Sequence, residues 1–312
     1  MQQLILHHYD PSPYSAKIRA YLGYKQLEWH SVIMPAVLPK PDLFALTGGY
    51  RRAPVLQIGA DIYCDSALIM QELEQRYPER SLYTGPGSQS LALLGHWSDV
   101  DLFWRVVRYV MGLRAEVLPA ALLADREAMH NTRFAPDELK AALPQLKLEL
   151  SQLLSYLNEA LAQSPLLLHQ QPASGDFALY ASLWFLQQVE AVADTRPQAH
   201  ALHRWLQALA GYGQGQRQEL NAGQALDIAR QAGPTSVELR SQEQLDLQLP
   251  PGCQVSVMPT GYGAEAVTGT LILLTDHRVV LRREAEQVGT VQVHFPRIGY
   301  TLAAAPATGH GD

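Results

Sequence analysis

The residues of this chain that could do chemistry gather in three short groups near its start. Ser12-Pro13-Tyr14-Ser15 stands directly before a stretch of helical spacing. A hydroxyl at that point meets the unpaired backbone N–H groups and dipole of a helix start, which favour an anion, and it can itself donate one hydrogen bond. Serine before a helix is also an ordinary N-cap, and Ser15 is a nearby alternative. Arg51-Arg52-Ala53-Pro54 leads into an apolar run, where Pro54 fits the first residue of an edge strand. Asp65-Ser66 opens a second helical pattern, and a simple cap uses the same residue types.

Other features carry less. His7-His8, His96 and His200-x-x-His203 lack a coherent set of ligand partners, so structural or surface histidines are expected and no metal site. Cys64 and Cys253 form no C-x-x-C or Cys/His spacing, and Cys64, after Ile62-Tyr63 in a strand pattern, reads as a packed core residue. The runs at residues 211–215 and 261–264 are glycine-rich but open no strand-to-helix unit, so linker and turn are the reading.

The elements that must position these groups follow from periodicity. Residues 4–9, 27–33, 53–58 and 62–64 read as strands, with one helical face at Ile18, Tyr21 and Leu22 after the first, a loop with one helical turn at 39–46, and a helix over 66–76 that stops at Tyr77-Pro78. This is a small α/β unit. From about residue 90 to 211 the pattern is helical: one long helix over 91–114, another over 136–161 with a kink at Pro144, a nearly all-apolar helix over 177–192, and a closing helix over 197–210. Beyond a linker and a helix at 224–231, short β-rich runs at 237–239, 254–258, 269–274, 278–282 and 289–294 suggest a small antiparallel module, and 303–312 reads as a flexible tail. The expected units are 1–84, 88–215, 216–302 and the tail.

The chain has 312 residues, 47% of them apolar, a net charge of −6 and two cysteines. That length allows two or three domains, and the apolar share rules out disorder as the main state. Two isolated cysteines leave no disulfide framework, so a reducing compartment is expected. The acidic balance and the lack of a basic run argue against nucleic acid as a partner. With no signal-peptide pattern and no apolar run of about 18 residues, a cytoplasmic protein without a membrane partner is expected.

Taken together, three motifs resemble the cytosolic glutathione transferases. Ser12-Pro13-Tyr14-Ser15-Ala16-Lys17-Ile18-Arg19 is similar to the start of their thioredoxin-like half, Arg52-Ala53-Pro54-Val55-Leu56 to the strand whose proline is cis, and Asp65-Ser66-Ala67-Leu68-Ile69 to the acidic-Ser motif. Gly175-Asp176-Phe177-Ala178-Leu179-Tyr180 resembles the start of a core helix in their helical half. There the family has Ser or Thr where this chain has Ala173, so Ser174 is the candidate replacement cap. The resemblance covers about residues 1–215 and implies a thioredoxin-like domain followed by a helical domain, with the β-module outside it.

It also implies a chemistry. A free thiol with pKa near 8.5 is only a few per cent ionised at neutral pH, so glutathione must be bound as a stabilised thiolate. The resemblance gives that task to Ser12. A serine there, unlike a cysteine, cannot form a mixed disulfide, which points to direct conjugation with a small apolar electrophile and not to thiol exchange. Ala53 and Pro54 would meet the cysteinyl unit with a backbone edge, Asp65 and Ser66 the γ-glutamyl end, and Arg52 the glycyl carboxylate, with Arg51 competing for that part. Tyr9 and Tyr14 are expected as walls of the pocket. A homodimer using the helices after Asp65 and from Leu91 is implied, and a non-catalytic binding protein is the alternative. The partner of the β-module is unknown.

Overall fold

The structure, a computed structural model, describes residues 2–83, 87–167, 171–189, 199–235, 240–241 and 249–305. Strands β1 (Ile5–His8) and β2 (Glu28–Ile33) run parallel, joined by α1 (Pro13–Tyr24). After α2 (Pro41–Thr47), the hairpin of β3 (Val55–Ile58) and β4 (Asp61–Cys64) returns antiparallel to β1, and α3 (Ser66–Arg76) closes the unit. Every residue of β1, β3 and β4 is buried, as a sheet covered on both faces requires. Where a single helical turn was expected, α2 is a seven-residue helix, started by Pro41 and ended by Gly48 at φ 79°.

The expected long helix over 91–114 is three pieces of one helical run: α4 (Ser88–Trp97), a π-helical segment (Ser98–Leu102) and α5 (Phe103–Leu113). The widened turn sits at Asp99, which faces α1. Helix α6 (Ala120–His130) was not foreseen as an element: none of its residues is buried, so no apolar stripe marks it. The 27-residue α7 (Pro136–Ala162) runs through Pro144, α8 (Ser174–Leu186) is buried along most of its length, and α9 (His200–Ala210) packs on both. Ser174 is the first residue of α8 and does not cap it. Asp176 takes over: its Oδ2 accepts from the Ala173 N–H at 2.9 Å, and its Oδ1 accepts from Trp205 Nε1 at 2.7 Å. The Asp176 N–H, which a hydroxyl at position 173 would take, donates instead to the Ala173 carbonyl at 3.0 Å.

The C-terminal part is the expected antiparallel strand module, and its sheet is continuous with that of the thioredoxin-like unit. Strand β5 (Gln216–Glu219), wholly polar and unforeseen, pairs parallel with β2, followed by α10 (Ala222–Ala232). Then come β6 (Arg240–Ser241), β7 (Gln254–Pro259), β8 (Val267–Leu274), β9 (Arg278–Ala285), β10 (Gly289–Pro296) and β11 (Tyr300–Ala304). The strands β11-β7-β8-β9-β10 are antiparallel among themselves, as expected, yet β10 lies parallel on β4, so one sheet runs from β11 through β4 and β1 to β5. The expected strand at 237–239 lies outside the described residues. Ala303 and Ala304, expected in a tail, belong to β11, where Ala304 pairs with Val255; residues 306–312 lie outside the described residues.

The β4–β10 seam is buried and polar. Asp61 Oδ1 lies 3.1 Å from His294 Nε2, and Oδ2 accepts from the Thr235 hydroxyl at 2.5 Å. Burial alone would raise the Asp61 carboxyl; the hydrogen bonds from His294 and Thr235 overcome it and hold the group below its ordinary range. Around the seam, Val55, Ile62 and Cys64 share an apolar cluster with Val257, Leu281, Val293 and Phe295. Removing these side chains from water ties the C-terminal strands to the thioredoxin-like unit as a common core.

Candidate functional site

Ser12 caps α1. Its φ of −73° and ψ of 123° are extended, and its Oγ accepts from the Ser15 N–H at 3.2 Å. Capping uses the hydroxyl as acceptor only; its proton has no acceptor among the described residues. The helix start below it is tied to the helical half. Lys17 Nζ, buried, donates to Asp99 Oδ2 at 2.8 Å and to Ser66 Oγ at 3.3 Å, and the Tyr14 hydroxyl donates to the Asp99 carbonyl at 2.8 Å. Burial pushes the Asp99 carboxyl up, with Lys17 pulling the other way. One lysine therefore joins the starts of α1 and α3, bringing Ser12 and Ser66 to a common end of the cleft.

The other expected residues have taken partners from the C-terminal strands. Asp65, cap of α3, has φ 82°, a left-handed conformation that a side chain tolerates at a cost of order 1–3 kcal/mol. Its Oδ1 accepts from the Ala67 N–H at 2.9 Å and its Oδ2 from the Tyr300 hydroxyl at 3.1 Å. The Arg52 guanidinium lies 3.9 Å from the Tyr262 ring centroid and donates to the carbonyl oxygens of Thr260 and Tyr262. This turn depends on glycine: Gly261 and Gly263 have φ of 88° and 55°, and the Gly263 N–H donates to the Met129 carbonyl at 2.6 Å. A Cβ on Gly263 would come within 3.4 Å of Arg52 Nε.

Arg51 drops out of the competition with Arg52. It is buried and paired with Asp125 at 2.5 Å and Glu265 at 3.0 Å, so it fastens α6 and the C-terminal strands to the strand unit. Ala53 and Pro54 are joined by a cis peptide bond ahead of β3. The tyrosines diverge. Tyr14 lies against Phe103 at 4.5 Å with the rings tilted by 43°, whereas Tyr9 packs in the cluster shared with the C-terminal strands and accepts from Arg126 at 3.4 Å.

Cys64 is fully buried, and burial pushes its thiol well up, so it is inert. The pair His7-His8 is internal: His7 Nε2 is 2.8 Å from Gln57 Oε1 and His8 Nε2 is 3.0 Å from Ser31 Oγ. Among the described residues no group of His, Cys, Asp and Glu could hold a metal ion, and no helix is long and apolar enough to cross a membrane.

Beside the Arg52–Tyr262 stack lies a cavity of about 480 Å³, lined by Trp104, Arg108, His130, Arg133, Phe134 and Tyr262 among others. In the sequence, Trp104 and Arg108 fall inside the helical pattern of 91–114 and Tyr262 in the glycine-rich turn of 261–264, with no local mark of a cavity. The glycine pair around Tyr262 was the available signal; nothing local said that the turn would reach Arg52.

Comparison with known proteins agrees with this architecture. Residues 6–81 match the glutathione S-transferase N-terminal domain family. A GST-like protein from Pseudomonas syringae is 33% identical, with a TM-score of 0.81 over 98% of this chain and 100% of that one. A glutathione S-transferase from Rhodospirillum rubrum (21% identity, TM-score 0.53, 67% of this chain and 88% of that one) shares the fold. So does FzlA from C. crescentus (23%, 0.53, 66% of this chain and 87% of that one). No curated protein matches. The Pseudomonas syringae protein aligns over the C-terminal strands as well, so those strands are shared with at least one relative, and the chain belongs to the glutathione S-transferase superfamily.

Proposed function

We propose that the chain is a glutathione transferase that conjugates the glutathione thiolate to a small electrophile. The carrying observation is Ser12: a buried hydroxyl at the start of α1 whose proton has no acceptor among the described residues, on the helix that Lys17 ties to Ser66. Buried Ser15 Oγ and Arg52 Nε, both without a hydrogen-bond partner among the described residues, fit a polar ligand in the same cleft. Ser12 would donate to the thiolate sulfur, Ala53 would offer its backbone to the cysteinyl unit, and Ser66 with the α3 N-terminus would receive the γ-glutamyl carboxylate, facing Asp65. Arg52 would turn to the glycyl carboxylate. In the reaction the sulfur lone pair forms the new S–C bond, the leaving group departs with its bonding electrons, and the thiol proton passes to solvent. Titration calorimetry with glutathione, followed by a conjugation assay with an aryl halide on wild type and Ser12→Ala, tests it; a protein that neither binds glutathione nor conjugates refutes it.

The expected division into 1–84, 88–215 and 216–302, a cytoplasmic setting and a detoxifying role go with this reading. A homodimer does as well. On α3, Glu72 is buried under Arg278 of β9 at 2.8 Å, so a two-fold contact would favour the α4 side, where Leu93 and Val100 are exposed.

A second reading, a non-catalytic relative that binds a ligand or partner, is favoured by one observation. Arg52 and Asp65 already satisfy Thr260, Tyr262 and Tyr300 of the same chain. On this reading the site keeps the fold of a transferase without its turnover, and glutathione binds weakly or not at all.

A further inference from the structure

The turn that presents Ser12 is held from three directions. Its own closure is one bond, from the Ser12 N–H to the Tyr9 carbonyl at 3.1 Å. Pro11 is the third residue of that turn, a place where proline disfavours the commonest turn type by driving the residue before it out of the helical region, so the local sequence supports the turn weakly. The remaining support comes through Asp10. Arg19, buried on α1, donates from Nη2 to the Asp10 carbonyl at 3.0 Å, and its Nη1 lies 3.3 Å from His8 Nδ1 and 3.8 Å from Asp10 Oδ1. The shorter contact to that carboxylate comes from far along the chain: Arg217 Nη1 donates to Asp10 Oδ1 at 3.0 Å.

Arg217 is presented from a fixed place. Its strand, β5, is tied to β2 at both ends, the Gln216 N–H donating to the Leu27 carbonyl and the Leu220 N–H to the Ser31 carbonyl, each at 2.9 Å, and Trp29 Nε1 donates to the Gln214 carbonyl at 2.7 Å. The chain enters β5 through Gly215 at φ 71°, where a Cβ would come within 2.5 Å of the Leu27 carbonyl oxygen. The guanidinium itself lies 5.7 Å from the Trp29 ring centroid and is held on a second side by Glu219 at 2.7 Å. An ion pair as open as this one, with the Asp10 side chain 58% and that of Arg217 25% exposed, adds little to global stability. Its consequence is local, because the carboxylate it holds stands two residues before Ser12.

We propose that Arg217 is a positioning residue for Ser12: by holding the Asp10 carboxylate from β5, it fixes the turn that aims the Ser12 hydroxyl. That the aimed hydroxyl meets a glutathione thiolate rests on the transferase reading; that Arg217 fixes the turn does not. Without the pair the turn moves more freely, and the hydroxyl spends less time where it can donate. A loss of orientation of this kind falls on kcat and leaves ligand binding largely intact.

The test compares wild type with Arg217→Gln, Asp10→Asn, the two combined, and Arg230→Gln, a control at an exposed ion pair of α10, all in the full chain. Amide hydrogen exchange over residues 12–16 reads the turn without any ligand, and should be about threefold faster or more in the Arg217 and Asp10 variants and unchanged in the control. Glutathione titration and conjugation kinetics with an aryl halide read the consequence: kcat should fall about three- to tenfold, glutathione affinity should move less than about twofold, and the combined variant should be no slower than either single one. Exchange that ignores Arg217→Gln overturns the proposal, and so does faster exchange with an unchanged kcat. An effect of charge alone would carry the opposite sign at Asp10, so an Asp10→Asn variant as fast as wild type overturns it too. Faster exchange in a protein that never binds glutathione upholds the hold of Arg217 on the turn while the transferase reading falls; a protein that conjugates glutathione with exchange and rate both indifferent to Arg217 does the reverse.

Discussion

The two ends of the cleft are made from the same kind of local motif, a polar cap on a helix, and yet they meet different company. At the Ser12–Ser66 end the neighbours come from the helical half: Lys17 bridges Ser66 and Asp99, and Tyr14 reaches the Asp99 carbonyl. These contacts hold the helix starts in place and leave the Ser12 proton free. At the Arg52–Asp65 end the neighbours come from the C-terminal strands, and the functional groups themselves are engaged, Arg52 by the Tyr262 turn and Asp65 by Tyr300. One end is organised by groups beside the chemistry, the other is covered by groups on it. Rate should therefore be governed at the first end and affinity at the second.

The largest expected effect is at Ser12. Ser12→Ala removes a single hydrogen-bond donor to a developing or bound anion, a loss of about 100-fold in kcat where such donors have been deleted, and conjugation kinetics should show it with little change in glutathione affinity. Loss of the cap adds about 1 kcal/mol of destabilisation, readable by urea unfolding. A drop in affinity without a drop in rate would erase the contrast between the ends.

Next comes the covered end. Tyr262→Ala breaks a cation–π stack worth about 1 kcal/mol or more, and freeing Arg52 should tighten glutathione binding by about five- to tenfold. Weaker glutathione binding would mean that Tyr262 supports the ligand and does not compete with it.

A stability measurement sharpens the comparison from below the site. Burial pushes His7 in β1 down to about 4, against a raising hydrogen bond from Gln57, so the folded protein keeps it neutral where the unfolded chain, titrating near 6.5, is protonated. Stability is then lost as pH falls from about 6.5 toward 4, and no further below that. The shift corresponds to roughly 3 kcal/mol. Denaturant midpoints at pH 7 and pH 4.5 should differ in wild type and differ less in His7→Gln; equal slopes in both proteins would remove His7 from the account. The smallest effect belongs to Tyr300→Phe, which deletes one hydrogen bond to Asp65 and should change glutathione affinity no more than about threefold.

What could be read from sequence follows the range over which each feature is determined. Ser12, Pro54 and Asp65-Ser66 are fixed within a few residues, by caps and a turn, and they were readable together with the α/β order that carries them. The polar strand Gln216–Glu219 was not, because edge pairing to β2 is carried by backbone groups that every residue has. Helix α6 was invisible for want of a buried face, although its Asp125 pairs with Arg51. The pairing of β10 on β4 joins residues more than two hundred positions apart, and with it comes the placement of Tyr262 on Arg52. Short motifs named the candidate residues; the long-range sheet decided which of them the C-terminal strands cover.

The central claim is that Ser12 stabilises a glutathione thiolate in this cleft. Ultraviolet absorbance of the bound thiolate, followed against pH with wild type and Ser12→Ala at saturating glutathione, measures it directly. The account predicts a bound thiol that ionises well below its free value in wild type and returns toward it in the variant. A thiol that titrates at its free value in wild type, or an unshifted curve on removing the hydroxyl, would contradict it.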